Sequence, residues 1–323
     1  MHKILKDISM AAFWGILIPG ILLNYGVLYL EHQTPSEEYI AEPMLPVKVL
    51  QEDGTIIEQN MDDYLVQVLL AEIPASFEAE ALKAQSVAAR TYARKAYLTG
   101  GKHNNGCVCK NPGCCQAAVA EEEYLSKGGT QEGIEKIRAA INATSDIVLT
   151  YDGTLIDATY FSSSGGYTES AVAVWGTDIP YLQAVPSPEE DSQYDSKTVY
   201  FSKDQFLDIL GIKLDGEPEN WFGEVSYTEG GGVAYMYIGG QAYTGLELRK
   251  LLGLRSTSFS VSIDADRIAI TTLGFGHRVG MSQYGANAMA QDGHTYAEIL
   301  FHYYPGTKLE MVIPTVKTVD ASS

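Results

Sequence analysis

The sequence predicts an α+β protein: a mostly helical main part, a strand-rich insertion, and a single N-terminal transmembrane helix. Three observations lead there. Ile8 to Leu30 runs for 23 residues without a charge. Helical periodicity and helix-forming composition mark residues 62–97, 131–142 and 285–303. Between about residues 196 and 272, runs such as VAYMYIGGQAY and TSFSVSIDADRIAITTL read as short strands mixed with small helices.

The uncharged span is long enough to cross a hydrocarbon core of about 30 Å as a helix. Lys3 and Lys6 precede it and Glu31, Glu37 and Glu38 follow it. The positive-inside rule then puts the N-terminus in the cytoplasm and the rest outside the cell membrane. A cleaved signal peptide is the alternative, but the apolar stretch is too long for one and no small-residue cleavage site follows. Residues 1–30 are therefore expected to be a cytoplasmic tip and anchor, and the Pro-punctuated 31–46 a linker. Residues 47–310 form the folded region, and 311–323 a tail. The chain has 323 residues and a net charge of −19. An acidic surface repels phosphate backbones, which argues against nucleic acid as a partner.

The first helix is expected over Asp62–Ile73. Asp62 can cap it, Leu65, Val68 and Leu69 recur at helical spacing, and Pro74 stops it. The second is expected over Phe77–Tyr97, with Ser76 as its cap and ALKAQSVAARTYARKA as its body. A third covers 131–142. The stretch IVLTY, then Asp152-Gly153, then TLIDATYFS reads as a hairpin with Asp-Gly as its turn.

Several residues could carry chemistry. Glu72 lies seven residues after Leu65 and three after Leu69, on the apolar stripe of its own helix. Burial and the negative end of a helix both raise a carboxylate's pKa. A carboxyl group that keeps its proton near neutral pH is suited to act as a general acid. A helix-end Glu that points to water is the other reading. Cys107, Cys109, Cys114 and Cys115 fall within HNNGCVCKNPGCCQ, just after His103. Thiolates and an imidazole in one loop suit tetrahedral zinc; disulfides are the alternative outside the membrane. In GFGHRVGMSQYGA, 274–286, four glycines surround His277, Ser282, Gln283 and Tyr284, marking a loop that enters a helix. This is a place to hold polar groups toward a sugar, or a tight turn around a buried His. YFSSSGGYTE, 160–169, is a strand end running into small residues. Ser163 or Ser164 with His277 would suggest a serine hydrolase, but no GxSxG elbow supports it.

Taken in order, AEIPASFEAEALKAQSVAARTYA (71–93), His103…Cys109…Cys115, YFSSSGGYTE, LELRKLLGLRSTSF (246–259) and GFGHRVGMSQYGANAMAQDG resemble the stage II sporulation protein D family. The resemblance spans roughly residues 46–307. It implies a membrane-anchored lytic transglycosylase that cleaves peptidoglycan glycan strands stripped of stem peptides. Such a protein works beside a cell-wall amidase and a membrane partner during engulfment of the forespore.

Glu72 then matches the catalytic acid/base. Ser163, Gly165, Gly166, His277, Ser282, Gln283 and Tyr284 fall on the stretches expected to bind the glycan. His103, Cys109 and Cys115 match the zinc ligands of clostridial-type members, with zinc expected in a structural role. Cys107 and Cys114 are extra thiols that leave the remaining ligand open. Arg278 stands where the family more often has Gly. One carboxylate suffices for this reaction, because the substrate's own C6 hydroxyl attacks the anomeric carbon and leaves a 1,6-anhydro end. The rival readings are a non-catalytic activator of an amidase and a zinc hydrolase; a Cys-rich metal site speaks against the second.

Overall fold

The computed structural model describes residues 46–188 and 196–312. The expected anchor at Ile8–Leu30, residues 31–45 of the linker and residues 313–323 of the tail lie outside them. Among the described residues, no helix is long and apolar enough to cross a membrane.

Helix α1, Met61–Glu72, begins one residue before the expected cap. Asn60, not Asp62, caps it: its side chain accepts from the Asp62 amide at 2.7 Å. Asp62 and Asp63 instead sit in the first turn, where negative charge suits the helix dipole. Ile73 is extended ahead of Pro74 and ends the helix. Helix α2, Ala79–Thr99, is the central rod of the main part and ends on left-handed Gly100. The expected Ser76 cap is not made. The cap position is Glu78, which has no side-chain cap of its own. Its backbone amide donates to Asn287 Oδ1 at 2.8 Å, so a distant side chain serves this helix start.

The buried face of α2 is rich in alanine: Ala81, Ala84, Ala88, Ala89 and Ala93 are fully buried. Small side chains let several elements approach one rod. Helix α1, helix α4 (Gln131–Ala143) and strand 147–151 pack on it. So do helices α8 (Gln283–Gln291) and α9 (Tyr296–Tyr303). Helices α3 (Glu121–Ser126) and α5 (Ala171–Trp175) are short surface pieces. The single helical stretch expected over 285–303 is two helices, because Thr295 starts a fresh one with a capping box.

The Asp-Gly turn is present, with Asp152 at φ 48° and Gly153 at φ 72°. Its return strand is only Thr154–Leu155. The expected continuation, Tyr160–Phe161, pairs instead in parallel with Met281–Ser282. That pairing brings the 160–169 stretch against the Gly-rich 274–286 loop. Strand 147–151 takes 308–311 as its other neighbour.

The strand-rich segment is as expected in content. One sheet runs 259–264, 267–273 and 196–202; another runs 222–227, 233–238 and 241–244. Helices α6 (Lys203–Leu210) and α7 (Gly245–Leu251) accompany them. These elements enclose a second apolar cluster that includes Phe206, Trp221, Met236, Leu248, Ile268 and Ile270.

Candidate active site

Glu72 sits on the last residue of α1, where the apolar stripe meets the surface, and it is half-buried. It lines a cleft of about 850 Å³. One Glu72 oxygen accepts from the Ala117 backbone N–H at 2.6 Å. Burial raises its pKa above the usual glutamate value, and the Ala117 amide and the Gln283 side chain partly offset that rise. The geometry therefore favours the buried reading of Glu72 over the solvent-facing one. Asp157 is the other carboxylate of the cleft, and it is paired with Lys95 at 2.8 Å.

Next to Glu72 runs a chain of neutral polar groups. Tyr64 donates to Gln116 Oε1 at 3.0 Å, and Gln116 Nε2 donates to the Tyr160 hydroxyl at 2.8 Å. Burial and the nearby Glu72 charge push the Tyr160 phenol well up, so it keeps its proton. Sequence reasoning missed Tyr160, Gln116 and Ala117. The aromatic start of YFSSSGGYTE was the available signal for the first; nothing local marked the other two.

Two of the seven residues expected to bind glycan line the cleft with Glu72: His277 and Gln283. Gln283 is 4% exposed, and its Nε2 has no hydrogen-bond partner of ordinary geometry among the described residues. His277 Nδ1 accepts from the Val279 N–H at 3.1 Å, which leaves the ring proton on Nε2. Burial, with the charges of Arg249 and Lys102, lowers its pKa to about 4, so the ring is neutral at physiological pH. Its ring centroid lies 5.7 Å from that of Phe161 and 5.6 Å from that of Trp175.

The other five lie outside the lining and build its frame. Ser163 is fully buried and bridges backbone to backbone with Phe275. Gly165 and Gly166 both have positive φ. The first passes close to Leu273, and the second pairs with Ser187. Ser282 is fully buried and caps α8, accepting from the Gly285 amide at 3.2 Å. Tyr284 packs edge-on against Phe77 at 5.0 Å. Gly274 has no room for a side chain, since a Cβ there would come within 2.5 Å of the Ser163 carbonyl.

Arg278 has φ 66°, the left-handed region where glycine is at ease. Here its buried guanidinium meets Glu169 at 3.2 Å and donates to the carbonyls of Ser164, Tyr167 and Gly230. Both charged side chains are 1% exposed.

The cysteine loop folds on itself through Asn111. Its carbonyl accepts from the Cys114 and Cys115 amides at 3.0 and 2.8 Å, and its side chain from the Gly113 amide. This turn brings Cys114 and Cys115 back beside Cys109. The ligand atoms of His103, Cys109, Cys114 and Cys115 all lie within 4.8 Å of one another. Cys114 Sγ is 3.4 Å from His103 Nε2 and 3.9 Å from Cys115 Sγ. A tetrahedron with bonds of about 2.3 Å has edges of about 3.8 Å, so the donor set fits zinc in size and in type. All four cysteines are free thiols, and Cys107 is buried away from the cluster. Ala117, whose amide holds Glu72, lies two residues beyond Cys115.

The fold and the cleft define a class: an α+β protein with a half-buried carboxylate, Glu72, lining an aromatic and polar cleft. A family model described as "Stage II sporulation protein" matches residues 51–151. The chain is 38% identical over 255 residues to stage II sporulation protein D of Bacillus subtilis (strain 168), covering 77% of this chain and 74% of that one. It is 35% identical over 281 residues to the stage II sporulation protein D of Bacillus amyloliquefaciens, covering 85% and 81%. It is also 30% identical over 297 residues to the amidase enhancer of Bacillus subtilis (strain 168), covering 75% of this chain and 39% of that protein. The chain belongs to the stage II sporulation protein D family.

Proposed function

We propose that the protein is a lytic transglycosylase of the cell wall, cleaving peptidoglycan glycan strands stripped of stem peptides. The observation that carries this reading is the half-buried Glu72, its pKa raised by burial, in a cleft where, among the described residues, the only other carboxylate is already paired with a lysine. Protonated Glu72 gives its proton to the leaving glycosidic oxygen. The resulting carboxylate, held by the Ala117 amide, then takes the proton of the C6 hydroxyl as that oxygen closes onto the anomeric carbon. The product end is 1,6-anhydro-MurNAc. An ordinary glycosidase needs a second carboxylate for water or covalent attack, and among the described residues no second unpaired one lines this cleft. Mass spectrometry of bare glycan strands digested by the protein tests the reading: anhydro ends support it, and reducing ends formed by water would replace it with a glycoside hydrolase.

The raised pKa gives a pH dependence. Activity needs protonated Glu72 at the start, so it should fall on the alkaline side with an apparent pKa above the model glutamate value of about 4.3. Gln283 opposes that rise, so Gln283→Ala should move the alkaline limb to higher pH. A limb that stays put or moves down would show that Gln283 does not act on the carboxylate.

His103, Cys109 and Cys115, with Cys114 as the fourth donor, would hold one zinc ion. When bound, the zinc supplies a cross-link that fixes the loop leading to Ala117. Metal analysis should then find about one zinc per chain. Cys114→Ser should release it at a lower chelator concentration than wild type, and Cys107→Ala should not. Equal loss in both variants would remove Cys114 from the ligand set.

The N-terminal span would anchor this activity on the outer face of the cell membrane. The similarity to an amidase enhancer favours a second reading, in which the protein binds glycan and stimulates a cell-wall amidase without cutting. Failure to cut bare strands, with an amidase still stimulated, would select it.

A further inference from the structure

Glu72 and Ala71 line more than one cleft. A second hollow of about 690 Å³ lies on the other side of the α1 terminus. Its walls are the α1 end and Ile73–Ser76 on one side. On the other are Lys127–Thr130 and the start of α4, including Glu132, Gly133 and Lys136. Its size falls in the range of about 300–1,000 Å³ typical of ligand sites. The Lys136 ammonium is held by the Phe77 carbonyl at 2.6 Å, and Lys127 by Glu123 at 2.6 Å. The hollow thus mixes these polar groups with apolar Leu70, Ile73 and Pro74, while the first cleft carries exposed Trp175 and Phe275, 44% and 42% accessible. Aromatic faces of that kind suit pyranose rings.

We infer that the glycan strand crosses Glu72 from the first cleft into the second, so that cleavage falls within a strand rather than at its end. This rests on the transglycosylase reading for the cut, but not for the binding. A carboxyl group that serves a pocket closed on one side acts on a terminal sugar. Glu72 instead borders two clefts, and a linkage lying over it has room for sugars in both directions. The substrate class is a linear saccharide long enough to fill both arms.

The test uses the full chain and amidase-stripped glycan strands of graded length. In Glu72→Gln, binding should tighten with length until both clefts are filled. Ser76 is an exposed second-cleft residue outside the catalytic contacts, and Ser76→Trp fills that arm. Added to Glu72→Gln, it should weaken long-strand binding by roughly tenfold, the equivalent of about 1.4 kcal/mol. Binding of the shortest strands should be unchanged. Circular dichroism of each variant reports folding. With the wild type, early products should be intermediate-length strands with anhydro ends. Long-strand affinity that ignores Ser76→Trp, or disaccharides released from the first time point, would overturn the inference. If Glu72→Gln cuts as wild type does, the catalytic assignment fails, and the length-dependent binding still decides the second cleft.

Discussion

Glu72→Gln is expected to lower glycan-strand cleavage by about 100- to 10,000-fold, the usual contribution of a general acid or base. The amide keeps the shape of the side chain and can still sit beside the Ala117 loop, but it carries no titrating proton. Folding and strand binding should survive, because Glu72 is only half-buried and takes part in no salt bridge among the described residues. The measurement is the initial rate of anhydro-end formation beside strand affinity and melting temperature. A wild-type rate in the variant would move the chemistry to Asp157, the remaining carboxylate of the cleft. Glu169 is not a candidate. It is buried against Arg278 and also accepts from Thr228 and from the Gly232 amide, at 2.7 and 2.9 Å.

The second large effect is on stability. Arg278→Met keeps the bulk of the side chain and removes the charge. It leaves the Glu169 carboxylate buried without its cation, at a cost of about 3–5 kcal/mol. At roughly 2–4 °C per kcal/mol for a domain of this size, the melting temperature should fall by about 6–20 °C. Adding Glu169→Gln should restore part of the loss, since an amide is far cheaper to bury than an unpaired charge. The pair joins the loop carrying His277 to Gly230 and Gly232 of the strand-rich segment. The single variant should therefore also loosen the cleft wall. A melting point within a degree of wild type would show that the pair holds nothing together.

The contrast between these two glutamates shows how far local pattern reaches. The stripe from Leu65 through Leu69 to Glu72 predicted burial of Glu72, because helical periodicity is fixed within a few residues. Glu169 offered no such signal, since the groups that bury it lie 59 to 109 positions away. The helix caps divide the same way. Asn60 caps α1 from next to it, and the shift from Asp62 is a matter of two residues. The start of α2 is served by Asn287, which no reading of Ser76–Phe77 could foresee.

The amino-acid sequence by itself determined the mixed helix and strand content, the Asp-Gly turn, the acid on its apolar stripe, and the concentration of thiols after His103. Each follows from residue type and from spacing within a turn or a hairpin. Only the tertiary structure decided that Cys114 joins the cluster and Cys107 does not. Cys107 and Cys109 share strand parity, and it is the turn at Asn111 that folds Cys114 and Cys115 back onto Cys109. Only packing set Ala117 and Gln283 against Glu72 and turned Ser282 and Tyr284 into the frame. The polar partners of a buried group come from whichever segments the core brings near it, and that choice is made by long-range packing, not by local spacing.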